Sequence, residues 1–279
     1  MSTRIAFLGP AGSYAEQAAM IHNAAATLVP FPSIPSTASS VPDGEADEAV
    51  VPIENSLEGS VNQTLDILVD RTGLFIRHEL VLPINHCLMT RPGAPTDGFE
   101  VIFSHPQALA QCRRFLQERY PEAELVASLS TSASVSEMSS SRSIAAAIAN
   151  RRAAELYGAE IVHRGIQDDP NNETRFVVLA PTDHAPTGAD KTSICFDFED
   201  DSPGILYGVL GEFAERGINM AKIESRPTRR GLGRYIFLVD LEGHRQDQAL
   251  AEALDTVNRR VSMFKVFGSY PMHVSSAVG

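Results

Sequence analysis

The segment Asp168-Asp-Pro-Asn-Asn-Glu-Thr-Arg-Phe-Val-Val177 brings a polar, turn-rich loop up to Thr174 and Arg175 at the head of an apolar run. Successive strand side chains point to opposite faces, so at most one of Thr174 and Arg175 can reach a given ligand. Four further junctions put polar groups where a strand-like run gives way to a helix. Gly9-Pro-Ala-Gly-Ser-Tyr14 follows Arg4–Leu8, and Glu54-Asn-Ser-Leu-Glu-Gly-Ser-Val61 follows Ala49–Ile53. Ser104-His-Pro-Gln107 follows Val101–Phe103, and a Ser/Thr cluster follows Leu125–Ala127. Each junction leaves free backbone N–H groups at the positive end of a helix. Neutral donors at these ends suit a small polyanion, while ordinary helix capping by the same residue types stands as the alternative. Glu54 and Glu58 can be read as a carboxylate pair or as acids complementing a helix dipole. His105, before Pro106, reads as a packed turn histidine more readily than as a base.

Other chemistries are excluded by what these junctions lack. The first 185 residues hold 12 arginines, 22 acids and no lysine; Lys191, Lys222 and Lys265 all follow. A Schiff-base lysine and a P-loop lysine are therefore absent from that region. The Gly9–Gly12 spacing is G-x-x-G rather than the dinucleotide fingerprint, and Phe31-Pro-Ser33 stands where an acidic residue would hold a ribose. No G-x-S-x-G elbow occurs. Cys87, Cys112 and Cys195 form no CxxC pair and the eight histidines are scattered, so neither a metal site nor any cofactor is expected. A net charge of -12 opposes nucleic acid and anionic lipid. No apolar run reaches the roughly 18–20 residues of a membrane helix. The N-terminus runs straight into a strand-like segment, so export is not expected, and a reducing cytoplasmic compartment is.

Short apolar runs alternate with helix-like stretches as far as residue 181, the pattern of an α/β domain. Further strands are expected at Leu28–Phe31, Leu74–Leu82, Ile84–Met89, Glu160–Val162 and Phe176–Leu179. Helices are expected at Tyr14–Asn23, Val61–Arg71, Gln107–Arg119 and Ile144–Tyr157. Residues 128–143 hold nine serines in sixteen positions and read either as a loop with one weak helix or as a binding loop. Pro181–Asp190, rich in Pro and Gly and without periodicity, reads as a linker. Beyond it, strands at Thr192–Phe198, Ile218–Ser225, Tyr235–Leu241 and Val261–Ser269 alternate with helices at Ile205–Arg216 and Asp247–Arg259. That order is βαββαβ, the ferredoxin-like arrangement. Gly204 at a helix start, with acids at 199–201, suits a zwitterion or plain capping equally.

In order along the chain, Gly9-Pro-Ala-Gly-Ser-Tyr14, Pro52-Ile-Glu-Asn-Ser-Leu-Glu-Gly-Ser-Val61, Ser104-His-Pro-Gln-Ala-Leu-Ala-Gln-Cys112, Thr174-Arg-Phe176 and Glu224-Ser-Arg-Pro227 are similar to the motifs of prephenate dehydratases with a C-terminal ACT regulatory domain. Gly204-Ile-Leu-Tyr207 departs from that family's usual Gly-Ala-Leu-Val. The resemblance implies a two-lobed α/β catalytic domain (type II periplasmic-binding-protein-like) over residues 1–181, a linker at 182–190 and an ACT domain over 191–279. The connections around Leu74–Ile84 and Gly158–Ile166 would cross between the lobes. The implied reaction removes CO2 and water from prephenate to give phenylpyruvate, in phenylalanine synthesis, without metal or cofactor. By the same resemblance Thr174 donates to the departing hydroxyl, Glu54, Asn55, Ser104 and Gln111 line the site, and Ser13, Ser56, Arg175 and Phe176 bind the dicarboxylate. An L-phenylalanine effector would be held by Gly204, Ile205, Leu206, Asn219, Glu224, Ser225 and Arg226, in a homodimer or homotetramer. Arogenate as substrate and a non-catalytic small-anion-binding module are the alternatives.

Overall fold

The computed structural model describes residues 2–199, 202–228 and 234–273. The chain first builds β1 (Arg4–Leu8), α1 (Tyr14–His22), β2 (Thr27–Phe31), α2 (Ile34–Ser39), β3 (Glu48–Asn55), the short β4 (Gly59–Ser60), α3 (Asn62–Asp70) and β5 (Phe75–Pro83). It continues through β6 (Cys87–Thr90), β7 (Val101–Ser104), α4 (Pro106–Gln111), α5 (Arg113–Arg119), β8 (Glu124–Ala127), α6 (Thr131–Ser140), β9 (Ala145–Ala149), α7 (Arg151–Tyr157), β10 (Glu160–Arg164) and β11 (Glu173–Ala180). One sheet runs β2-β1-β3-β11-β5 with β4 paired to β3; a second runs β10-β6-β9-β7-β8. The chain leaves the first sheet after β5 and returns to it only at β11. The crossings are thus residues 84–86 and 165–172. Of the expected crossing around Leu74–Ile84, Phe75–Pro83 is the strand β5 and only Ile84 lies in a crossing; Gly158–Ile166 contains β10 and reaches the second crossing at Gly165.

Two expected helices resolve differently. Ile144–Tyr157 contains the strand β9, buried at every position, before α7. Its Ala-Ala-Ala-Ile-Ala sequence has high helix propensity, but a strand flanked on both sides and covered on both faces reads as a continuous apolar run with no period of two. Asn150 then caps α7, its side chain accepting from the Ala153 N–H at 2.7 Å. Gln107–Arg119 is broken at Cys112 (φ -112°, ψ 18°), where Asp168 accepts from the Arg114 N–H at 3.1 Å and so opens a second helix. α2 has no counterpart in the sequence reading. Ser33 and Ser36 form its capping box, and Pro35 fits its first turn. The serine tract holds one ten-residue helix, α6.

The C-terminal part comprises β12 (Asp190–Asp197), α8 (Ile205–Ala214), β13 (Met220–Pro227), β14 (Tyr235–Glu242), α9 (Gln248–Asn258) and β15 (Met263–Pro271), with sheet order β13-β14-β12-β15. The order is the expected βαββαβ. Phe196, Val209, Phe213, Val239 and Leu241 form its core. Asp190, placed in the linker by sequence, is buried and begins β12. The linker is pinned: Asp183 accepts from the Ser269 N–H at 3.0 Å and pairs with Arg245 at 2.9 Å. The chain divides into two compact units, Met1–Asn62 with Leu80–Phe176, and Gln63–Glu79 with Val177–Gly279. The second unit therefore includes most of α3 and part of β5 along with the C-terminal sheet. Among the described residues, no helix is long and apolar enough to cross a membrane.

Candidate active site

Within the first unit a cavity of about 590 Å³ is lined by Ser13, Asn55, His86, Gln111, Ser130, Ser132, Asn172, Thr174 and Phe176, among others. The first turns of α1 and α6 border it. Ser13 caps α1, accepting from the Glu16 N–H at 3.2 Å, and Ser130 caps α6, accepting from the Ala133 N–H at 2.9 Å. Helices that present their first turns to a cavity favour an anion there.

Asn55 organises the donors at one side. Its Oδ1 accepts from the N–H groups of Leu57 and Glu58, both at 3.0 Å. Because backbone N–H groups can only donate, this fixes the orientation of the amide, and Nδ2 must point the other way. Nδ2 donates to Asn172 Oδ1 at 2.8 Å, to Thr174 Oγ1 at 2.9 Å and to the Glu173 carbonyl at 3.1 Å. Thr174, 9% exposed, accepts with its oxygen and keeps its own proton available. Ser56 fastens the same loop to β11: its N–H donates to the Glu173 carbonyl, and its Oγ accepts from the Glu173 N–H, each at 2.9 Å.

His86, 3% exposed and also lining the cavity, lies 2.9 Å from Gln111 Oε1 through Nε2. Burial pushes its pKa below the ordinary histidine value, partly offset by the Gln111 hydrogen bond. A neutral ring that donates from Nε2 turns the Gln111 NH2 away from itself. The Tyr14 ring meets His86 edge-on at 6.3 Å. Burial pushes the Tyr14 phenol far up, and its OH donates to the Asn85 carbonyl at 2.7 Å.

The structure thus gathers Ser13, Asn55, Gln111, Thr174 and Phe176 from the sequence expectations around one cavity. Others lie outside its lining. Arg175, on the opposite face of β11 from Thr174, pairs with Glu54 at 3.6 Å. Ser104, fully buried, donates to the Ile148 carbonyl at 2.7 Å and ties β7 to β9. Ser56 holds the loop rather than facing the cavity. Sequence reasoning missed His86, Ser132 and Asn172. Asn172 carried a usable signal, standing two residues before Thr174 in the quoted loop and so on the same face.

The residues expected to hold an effector separate into two sets. Gly204 takes φ 87° ahead of α8, Ile205 and Leu206 are half-buried, and Tyr207 is exposed. Asn219 donates to Glu242 at 2.8 Å. On β13, Ser225 lies opposite Phe237, while Glu224 and Arg226 lie opposite Leu238 and Ile236 and share the other face. Glu224 pairs with Lys222 at 3.3 Å, and Arg226 pairs with Asp66 of α3 at 2.7 Å. Asp200 and Asp201, from the acidic run at 199–201, lie outside the described residues.

Comparison with known proteins accords with this geometry. Residues 5–184 match the family model described as prephenate dehydratase, and residues 199–259 match that of the ACT domain. The bifunctional chorismate mutase/prephenate dehydratase of Neisseria gonorrhoeae is 41% identical over 273 residues, 97% of this chain and 75% of that protein. The structure of prephenate dehydratase from Arthrobacter aurescens in complex with L-Phe is 37% identical with a TM-score of 0.88, covering 96% of this chain and 90% of that one. A structure described as GqqA, a novel type of quorum quenching acylases, is 32% identical with a TM-score of 0.87, covering 97% and 98%. With both family models matched in series, the chain belongs to the prephenate dehydratase family and carries an ACT domain behind its catalytic domain.

Proposed function

We propose that the cavity holds prephenate as a dianion and that Thr174 serves its departing hydroxyl. The reaction breaks the bond from the ring to the carboxylate, whose electron pair completes the aromatic ring. The ring C–O bond breaks toward oxygen, and one proton converts the departing hydroxide to water. Aromatisation supplies the driving force, so the protein has to orient the substrate and stabilise charge on the leaving oxygen. The observation that carries the assignment is the Asn55–Thr174 bond: an Oγ1 already accepting at 2.9 Å directs its own O–H elsewhere. The first turns of α1 and α6 and the Gln111 amide are the groups for the two carboxylates. Thr174→Ala should lower kcat by about 10²-fold or more, as loss of a donor aimed at developing charge does, with KM for prephenate changed little. Unchanged turnover removes Thr174 from the chemistry. Arogenate, bearing an amine in place of the keto group, is assayed in parallel, and the larger kcat/KM identifies the substrate.

The acylase neighbour raises hydrolysis as a second reading. Against it, the Ser13 hydroxyl in the cavity donates its single proton to the Leu8 carbonyl at 3.0 Å, and Ser132 Oγ, also in the cavity, has no hydrogen-bond partner to act as its base. Neither is set up as a base-activated nucleophile. The lyase reading extends to L-phenylalanine as an effector of the ACT domain, in line with the ligand of the Arthrobacter relative. It also extends to a homodimer or homotetramer. β13 ends the third sheet, and Ile223 and Tyr235, near that edge, are 47% and 46% exposed; light scattering reads the assembly. The three buried free cysteines suit the reducing cytoplasm.

A further inference from the structure

Among the described residues, three buried polar atoms without a hydrogen-bond partner belong to side chains lining the cavity: His86 Nδ1, Ser132 Oγ and Asn172 Nδ2. They are not equivalent. A bare imidazole nitrogen is an acceptor, which tolerates being unpaired, and a hydroxyl can rotate. A carboxamide NH2 carries two donors in a fixed plane and is the most costly of the three to leave unmatched. Asn172 is 1% exposed, and its orientation is dictated from a distance. The Leu57 and Glu58 N–H groups fix Asn55, and Asn55 Nδ2 requires an acceptor. Asn172 therefore gives its Oδ1 to that bond at 2.8 Å, and its NH2 is the end left over. Its backbone is held as well, the carbonyl accepting from the Ile84 N–H at 2.7 Å. Asn172, Thr174 and Phe176 alternate along one face, and all three line the cavity.

We infer that Asn172 is a second catalytic donor: its Nδ2–H group and the Thr174 hydroxyl converge on the oxygen that leaves prephenate. Both groups take their orientation from one amide, Asn55, and both side chains line the same cavity. Asn172 keeps its proton throughout. It stabilises the negative charge that builds as the C–O bond breaks, and the proton that completes water comes by way of Thr174 or solvent. The inference rests on the prephenate reading above and adds a group to it.

The test compares Asn172→Ala and Asn172→Asp with the wild type on prephenate, following phenylpyruvate release. Asn172→Asp keeps an Oδ1 acceptor for Asn55, and it exchanges the donor for a negatively charged oxygen. A donor on the leaving oxygen predicts that kcat falls at least 10²-fold in both variants, with KM in the Ala variant within about threefold of wild type. Restoration of kcat in Asn172→Asp would make the residue a spacer for Asn55 and overturn the inference. So would a change confined to KM in Asn172→Ala, which would put the amide on a substrate carboxylate. L-phenylalanine binding to each variant, measured by calorimetry, reports folding independently of turnover. Absence of turnover in the wild type strikes the prephenate reading itself.

Discussion

Threonine is a poor acid in water, and the role proposed for Thr174 depends on what its neighbours forbid. Asn55 Nδ2 occupies the Thr174 oxygen, so the hydroxyl proton cannot turn back toward Asn55. Asn55→Asp reverses that arrangement: the new carboxylate still accepts from Leu57 and Glu58, but it also accepts from Thr174. The hydroxyl then donates into the protein. We expect kcat to fall by about 10²-fold with the loop intact, since a donor is withdrawn from the developing charge; kinetics and thermal melting together separate the two effects. His86 makes a pH prediction. Burial lowers its folded-state pKa, so below the unfolded value of about 6.5 the unfolded chain binds more protons than the folded one. Stability therefore falls as pH drops from about 6.5 toward the folded pKa. Relative to wild type, His86→Gln should lose Tm less steeply over that window.

At the scale of elements, the site depends on tight junctions between helices and sheets. Gly12, just before α1, has φ 84°, and a Cβ there would stand 3.2 Å from both Ala153 Cα and Ser132 Oγ. The left-handed conformation costs an L-residue about 1–2 kcal/mol, and the contact would also press α1 away from α6 and α7. Gly12→Ala should destabilise the protein by at least that amount in urea unfolding and lower activity as well. The break between α4 and α5 has a similar role. Asp168 donates its backbone N–H to the Gln111 carbonyl at 2.7 Å while its carboxylate caps α5. The crossing segment thereby sets where Gln111 stands. Asp168→Ala removes a cap worth about 1 kcal/mol, and KM should rise more than kcat falls as Gln111 loses its position.

For the whole molecule, the composition of the second compact unit is the informative fact. α3 begins at Asn62, directly after the Val61 that lines the cavity, and its later turns associate with the ACT sheet. Lys265 donates to the Val69 and Arg71 carbonyls, and Arg226 pairs with Asp66. Lys191 meets Glu79 at 2.8 Å with 15% and 2% side-chain exposure. Removing one member of so buried a pair leaves an uncompensated charge, and Lys191→Met should cost about 3–5 kcal/mol in denaturant unfolding. Arg226 belongs to a motif expected to touch the effector, yet its guanidinium engages α3. Asp66→Asn should therefore leave uninhibited kcat within about twofold while weakening inhibition by phenylalanine, because coupling requires a contact that differs between states. Inhibition curves at several phenylalanine concentrations measure it.

Much of this protein was legible as a string of residues. Local patterns carry through folding: the period of two placed Thr174 and Arg175 on opposite faces of a strand, and the βαββαβ order followed from six short runs. The linear motifs also pointed to the family. Other features depend on pairings between distant segments, which periodicity does not encode. Ala145–Ala149 is a strand because β6 and β7 flank it, although its own preference is helical. The break at Cys112 is made by a residue 56 positions away, Asp168. Which end of the Asn172 amide is left without a partner follows from a chain of hydrogen bonds from Leu57 and Glu58 through Asn55, across 115 residues. Residue types set what chemistry is possible, and tertiary packing decides which protons are left free to perform it.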